Sequence, residues 1–280
     1  MVTTGQIVVL VLAAVLLAAG WGLSLARVWR DGESLRLGAK ALSWLGVICA
    51  AGVLVWHILS RPGNNWVPLE DNFEALVGLA VLLGAFVLYV QRARTVGPLD
   101  WFTLPVAVVL LVAAGIFGAT KPQPYVDTTW SWVHRISTFG GTAAFAIAGA
   151  AGGLYLLANR RLRRKDLKAE HGPRLGSLER IERITFTAVT LGFALLTVGL
   201  VTGLVRAVRE NGGRMGPGWE TSPKVLLAAA VWLVYAVVLH SPINPSFRGR
   251  KVAMLSILGL VLMVGTLVAV NLMPAAGGAK

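Results

Sequence analysis

Eight stretches of the chain run apolar for the length of a bilayer crossing, and short polar segments separate them. They cover about residues 6–25, 41–59, 73–91, 102–119, 134–158, 184–206, 224–241 and 253–273. A span needs roughly 20 mostly apolar residues, because backbone groups in hydrocarbon must find partners inside their own helix. The pattern predicts an all-α fold, a polytopic membrane helix bundle of about eight transmembrane helices forming one transmembrane domain over 1–280. The connecting segments are short except 159–183. Within it, SLERIER (177–183) predicts that helix six opens ahead of its apolar run, with Ser177 as N-cap and Glu179 near the positive helix end. The small-residue run GGTAAFAIAGAAGG (140–153) predicts that helix five packs closely on a neighbour. No internal repeat is visible.

Charge orients this bundle. Segments 26–40, 92–101, 159–183 and 242–252 fall on one side and hold 18 of the 26 Lys and Arg residues. By the positive-inside rule this side is cytoplasmic, and both termini are expected outside. The run Arg160–Lys165 (RRLRRK) dominates the asymmetry, as a topology determinant facing anionic lipid.

Composition agrees with a lipid-solvated chain. Hydrophobic residues make up 56% and charged residues 14%, with mean hydropathy +0.70, against about 25% charged in soluble domains. The net charge of +13 would suggest nucleic acid in a soluble protein. Here the loop asymmetry accounts for it, and no nucleic-acid partner is expected. Cys49 is the one cysteine, inside an apolar run, so no internal disulfide or CxxC pair is available. The first apolar run has no basic segment before it and no small-residue cleavage site, so it is expected to be an uncleaved helix.

The candidate chemistry rests on four histidines. His171 lies in the basic loop and is expected to be solvated. His57 falls near the outer end of helix two, His134 at the outer start of helix five, and His240 at the cytoplasmic end of helix seven. His57 and His134 share one membrane face. They are either the minimum for a bis-His iron site or separate helix-end hydrogen-bonding groups. No HExxH motif and no carboxylate pair inside a span occurs. Glu70, Asp71 and Glu74 cluster at the start of helix three, where the helix dipole explains them. The spans carry almost no charge, which argues against a proton-relay chain and ion-coupled transport. Trp56, Trp66, Trp130, Trp132 and Trp219 sit at outer ends or loops, and Trp21, Trp29, Trp44 and Trp101 at inner ends. An aromatic belt explains most of them, and the outer group is either belt or binding platform. Arg135, Arg206, Arg209, Arg214 and Lys224 place unexpected positive charge outside. These charges are either tolerated or meet a ligand carrying carboxylates, such as the haem propionates.

Four segments, in order, carry a resemblance: PLEDNFEAL (68–76), WSWVHRISTFGGTAAFAIAGAAGGLYLL (130–157), SLERIERITFTAVTLGFALLTVGLVTG (177–203), and Trp232-x2-Tyr235-x4-His240. Together they resemble the cytochrome c assembly protein family of the CcsA/HemX-like type, over about residues 40–273. The resemblance implies a haem-handling protein of cytochrome c biogenesis in the plasma (inner) membrane of a prokaryote, with its outer loops extracytoplasmic. It implies haem b as cofactor, apocytochrome c and other assembly subunits as partners, and part of a haem lyase system as its setting. His134 takes the place of the outer haem ligand and His240 that of the intramembrane ligand. Trp219, with Trp130 and Trp132, would cover the macrocycle, and Arg135, Arg206 and Arg209 would meet the propionates.

The chain departs from the family pattern in two places. The tryptophan-rich loop, normally like W-x-W-D-P-K-E, reads Trp219-Glu-Thr-Ser-Pro-Lys-Val225. No second outer histidine follows helix eight, and His57 is the chain's own candidate to replace it. The alternative is an accessory or regulatory subunit that kept the fold and lost haem ligation. A small-molecule transporter is the third reading, disfavoured by the lack of intramembrane charge and of inverted repeats.

Overall fold

The computed structural model describes residues 2–27, 32–60, 71–93, 99–118, 128–163, 177–210, 222–240 and 249–272. These residues form eight helices: α1 (Thr4–Ala26), α2 (Glu33–Leu59), α3 (Asn72–Ala93), α4 (Asp100–Phe117), α5 (Thr129–Arg163), α6 (Leu178–Glu210), α7 (Pro223–Leu239) and α8 (Arg250–Leu272). No strand occurs among the described residues. α1 to α6 are each long and apolar enough to cross a membrane, and Val225–Leu239 is a shorter apolar helix.

Each helix falls where an apolar run predicts it, but several extend further. α2 begins at Glu33, α5 runs 35 residues, and α6 runs 33. At 1.5 Å per residue the last two are each about 50 Å long, more than the ~30 Å hydrocarbon core requires. The additions are rich in Arg, Glu and Leu, good helix formers that continue the backbone after the apolar pattern stops. Ser177 opens α6 as expected, accepting from the Arg180 backbone N–H at 3.4 Å.

The helices group into two compact units, Met1–Tyr125 with Gly153–Glu182, and Val126–Gly152 with Arg183–Lys280. In the first unit α1 and α2 run antiparallel, because Gly5 meets Trp56, Gly46 meets Leu17, and Gly20 meets Ser43. α1 shows how one helix serves two solvents: Leu10, Ala13 and Leu17 are buried, while Val8, Val11 and Val15 are exposed for lipid. Trp101 is buried and ties α4 to α1, donating its indole N–H to the Ser24 carbonyl at 3.0 Å. Trp21 returns a bond to the Trp101 carbonyl at 3.0 Å. These two tryptophans lock helices together as well as marking an end of the bundle. Ser24 also donates to Asp100, a buried carboxylate that Gln91 and Arg27 neighbour.

In the second unit the small-residue run of α5 does what its composition predicts. Gly140 and Gly141 meet Leu195 and Gly192 of α6, and Gly149 and Gly152 meet Leu260 and Ala253 of α8. Tyr235 of α7 is fully buried, stacks on Phe145 at 3.6 Å between ring centroids, and donates to the Ser256 carbonyl at 3.3 Å. Trp232 donates to Thr197 Oγ1 at 3.0 Å and packs on Phe193.

This packing leaves no room at Gly152, where a Cβ would lie 2.7 Å from the Ala253 carbonyl oxygen. Gly152→Ala is expected to destabilise by about 1–3 kcal/mol as overpacking against backbone. Gly22→Ala, with nothing within 4 Å of the added carbon, is the control. Thermal unfolding of the purified protein in detergent checks this, and equal midpoints for the two variants would contradict the α5–α8 contact.

Candidate functional site

His134 lies in the second turn of α5, half-buried against α6. Its Nδ1 is 2.7 Å from the Gly199 carbonyl oxygen. A carbonyl only accepts, so Nδ1 carries a proton, and in the neutral ring Nε2 then holds the lone pair. Among the described residues Nε2 has no partner. Two glycines of α6 create this seat. A Cβ at Gly203 would lie 2.9 Å from His134 Cε1, and one at Gly199 would lie 2.8 Å from Thr138 Oγ1. Gly199 and Gly203 are thus a GxxxG pair, the spacing that lets helix backbones approach in lipid.

Positive charge and aromatic surface gather around this end of the α5–α6 pair. Arg206 and Arg135 are the charged neighbours of His134. The Arg209 guanidinium stands 5.5 Å from the centroid of the half-exposed Trp130 ring, within cation–π range. Trp132 is half-buried in the same first turns of α5. Trp219, Arg214, Trp66 and Glu70 lie outside the described residues, as does the side chain of Lys224.

His240 caps the C-terminus of α7 and is exposed, with Nδ1 2.7 Å from the Ala236 carbonyl. It too offers Nε2 alone. Trp232 and Tyr235, the other members of its spacing motif, serve packing. His240 and His134 lie at different depths: α6 rises from the Trp232 contact at Thr197 to Gly203, while α7 runs the opposite way from Trp232 to His240. At 1.5 Å per residue the two imidazoles are about 20 Å apart along the bundle. One iron cannot take both.

His57 is placed differently. It is buried in the first unit, with Nε2 2.8 Å from Asp71 Oδ2 and Nδ1 3.3 Å from Gln6 Oε1. Phe73 packs on the ring at 4.7 Å between centroids. Both ring nitrogens are taken by acceptors. Gln6 belongs to the capping box of α1, and Asp71 caps α3 by accepting from the Glu74 backbone N–H at 2.7 Å. His57 therefore ties together the ends of three helices, and would gain a free lone pair only by releasing a partner.

Sequence reasoning did not single out Gly199, Gly203, Thr138, Gln6 or the partnership of Asp71 with His57. The GxxxG spacing was a readable signal for the first two. Nothing in linear sequence points from His57 to Gln6. Among the described residues no group of three His, Cys, Asp or Glu side chains is placed to hold a bare metal ion. The arrangement at His134 instead suits a metal whose other ligands come with its own macrocycle: one neutral nitrogen donor, adjacent cations and an aromatic face.

Asp71→Ala and His57→Ala are each expected to lower thermal stability, and less than additively in combination. The expected coupling is about 1.5–3 kcal/mol, that of a hydrogen bond to a charged group. Strict additivity in a double-mutant cycle would show that the contact contributes nothing.

Comparison with known proteins gives the family and the fold. The family described as cytochrome C assembly protein matches residues 9–275. A cytochrome c biogenesis protein CcsA from Prochlorococcus marinus (strain MIT 9313) is 31% identical over 258 residues, covering 81% of this chain and 78% of that relative. The protein of the same description from Mesostigma viride is 22% identical over 235 residues, covering 75% and 76%. Among solved structures, cytochrome c heme lyase CcmF aligns over 95% of this chain with a TM-score of 0.62 at 17% identity, a likeness of fold. The chain spans about half the length of that solved chain, 49%.

Proposed function

The chain belongs to the cytochrome c assembly protein family, and from that premise we propose that this multi-span membrane protein of cytochrome c biogenesis binds haem b at the His134 end of α5 and α6. The observation that carries the reading is the His134 imidazole, fixed through Nδ1 and open at Nε2, beside Arg206 and Arg135. His134 ligates the iron. Arg135, Arg206 and Arg209 face the propionates, since guanidinium pairs with carboxylate in a planar fork. Trp130 and Trp132, with Trp219, cover the macrocycle.

Haem held there would supply vinyl groups for thioether formation with the cysteine thiols of apocytochrome c. This chain's residues hold and orient the group and bring no acid–base pair to that reaction, so other assembly subunits complete it. His240 offers a second station about 20 Å away, reached before the His134 end when haem arrives from the cytoplasmic face. His57 stands as a further candidate ligand, whose engagement breaks its bond to Asp71 or Gln6. The setting is the plasma membrane of a prokaryote, with the His134 end extracytoplasmic and both termini outside.

The second reading, an accessory subunit without haem, is favoured by one pair of observations. The tryptophan-rich loop is reduced, and His57 has both nitrogens engaged. Purification free of haem within a stable complex would support it.

Absorption spectroscopy of the purified, haem-loaded protein tests the first reading. His134→Ala is expected to lose or shift the Soret band, and an unchanged band would overturn the assignment. Arg206→Gln is expected to keep the ligand and weaken haem binding about tenfold, the loss of roughly 1.5 kcal/mol from one charge-assisted contact. Spectral titration with hemin reads that change.

A further inference from the structure

A helix carbonyl is normally screened from its neighbours by the side chain four residues later, because every Cα–Cβ bond tilts toward the helix N-terminus. The Gly199 carbonyl has Gly203 in that position, so its flank is bare. The His134 ring fills the space a Cβ would take, which would lie 2.9 Å from Cε1 and 3.0 Å from Nδ1. The exposed oxygen accepts from His134 Nδ1 at 2.7 Å; Thr202 Oγ1 lies 3.1 Å from it and makes its shorter bond to the Val198 carbonyl at 2.7 Å. One turn further along α5, Thr138 lies where a Cβ at Gly199 would come within 2.8 Å of Oγ1. His134 and Thr138 thus dock, residue for residue, against the two glycines.

We propose that Gly203 is the positioning residue of His134: by leaving the Gly199 carbonyl uncovered it fixes the imidazole as the Nδ1–H tautomer and makes Nε2 the ligand nitrogen. The last step rests on the haem reading of His134, and the tautomer does not. A neutral imidazole can carry its proton on either nitrogen. An acceptor at hydrogen-bond distance from Nδ1 decides the matter, aims the ring, and raises the basicity of the opposite nitrogen. A methyl group at position 203 displaces the ring from the oxygen and removes all three effects together.

The test uses the full chain in detergent, labelled with 15N-histidine and free of haem, at mildly alkaline pH. Long-range 1H–15N correlation distinguishes the two tautomers, and the His134 signals are assigned by their loss in His134→Gln. The wild type is expected to show the Nδ1–H form alone. Gly203→Ala, with helical content retained, is expected to show a mixture. Gly192→Ala perturbs the same helix pair lower down, where the added carbon would lie 2.6 Å from Phe145 Cε1, and is expected to keep the wild-type tautomer. Hemin titration should then give about 10- to 100-fold weaker binding for Gly203→Ala than for wild type.

An Nε2–H form in the wild type overturns the proposal. So does an unchanged tautomer in folded Gly203→Ala, or an equal loss in Gly192→Ala, which would assign the effect to general packing. If Gly203→Ala does not fold, Gly203→Ser carries the same test, and an unchanged Nδ1–H tautomer there overturns the proposal. Finding the Nδ1–H form in a wild type that binds no hemin would overturn the ligand assignment while the seat stands. Finding the wrong tautomer in a protein that binds hemin through His134 would do the reverse.

Discussion

The close approach of α5 and α6 governs what the second unit can do. Lipid offers two apolar helices no hydrophobic reward for meeting, so they associate where small residues allow dense van der Waals contact and internal hydrogen bonds. Gly192, Gly199 and Gly203 line one side of α6, and Gly141, Thr138 and His134 answer them from α5. The contact brings a polar ring within reach of a helix carbonyl that bulkier residues would bury. Along the same pair Phe145 lies over Gly192 and stacks on Tyr235, which seats α7 and in turn needs Gly259 of α8 to make space. Packing in the middle of the unit and the seat of His134 at its end are consequences of one seam.

The three described histidines show how second contacts set the use of one side chain. His57 is bound at both nitrogens, so its imidazole joins the caps of α1 and α3 to the end of α2. His134 and His240 are each bound at Nδ1 only, one to a neighbouring helix and one to its own. Both therefore keep a donor nitrogen. They differ in setting: His134 is half-buried with guanidinium groups around it, while His240 is an exposed helix cap. The ring of His134 is therefore held on a neighbouring helix, whereas that of His240 is held only on its own.

Much of this was legible in sequence, and the reasons are specific. The eight helices were readable because hydrocarbon demands long apolar runs. The ends of α2, α5 and α6 were not, because Arg and Glu prolong a helix without prolonging its hydropathy. The small-residue face of α5 was legible from composition alone, and residues 140–153 pack as it predicted. His134, Arg135, Arg206, Arg209 and Trp130 do gather around the ends of one helix pair. The partner that orients His134 was illegible, because it is a backbone oxygen, and every residue has one. Asp71 suits the positive end of α3 and does cap it, but its bond to His57 depends on where α2 ends in space. Asp100 passed unnoticed beside its loop, and it is buried because Ser24 and Trp101 close over that end of α1.

The central claim is that iron in this protein is held by Nε2 of His134. Hyperfine spectroscopy of the ferric, haem-loaded chain carrying 15N-histidine reads that bond directly. The account predicts a histidine-nitrogen coupling in the wild type and in His57→Ala, lost in His134→Gly and restored there by added imidazole. The same coupling persisting unchanged in His134→Gly would contradict it.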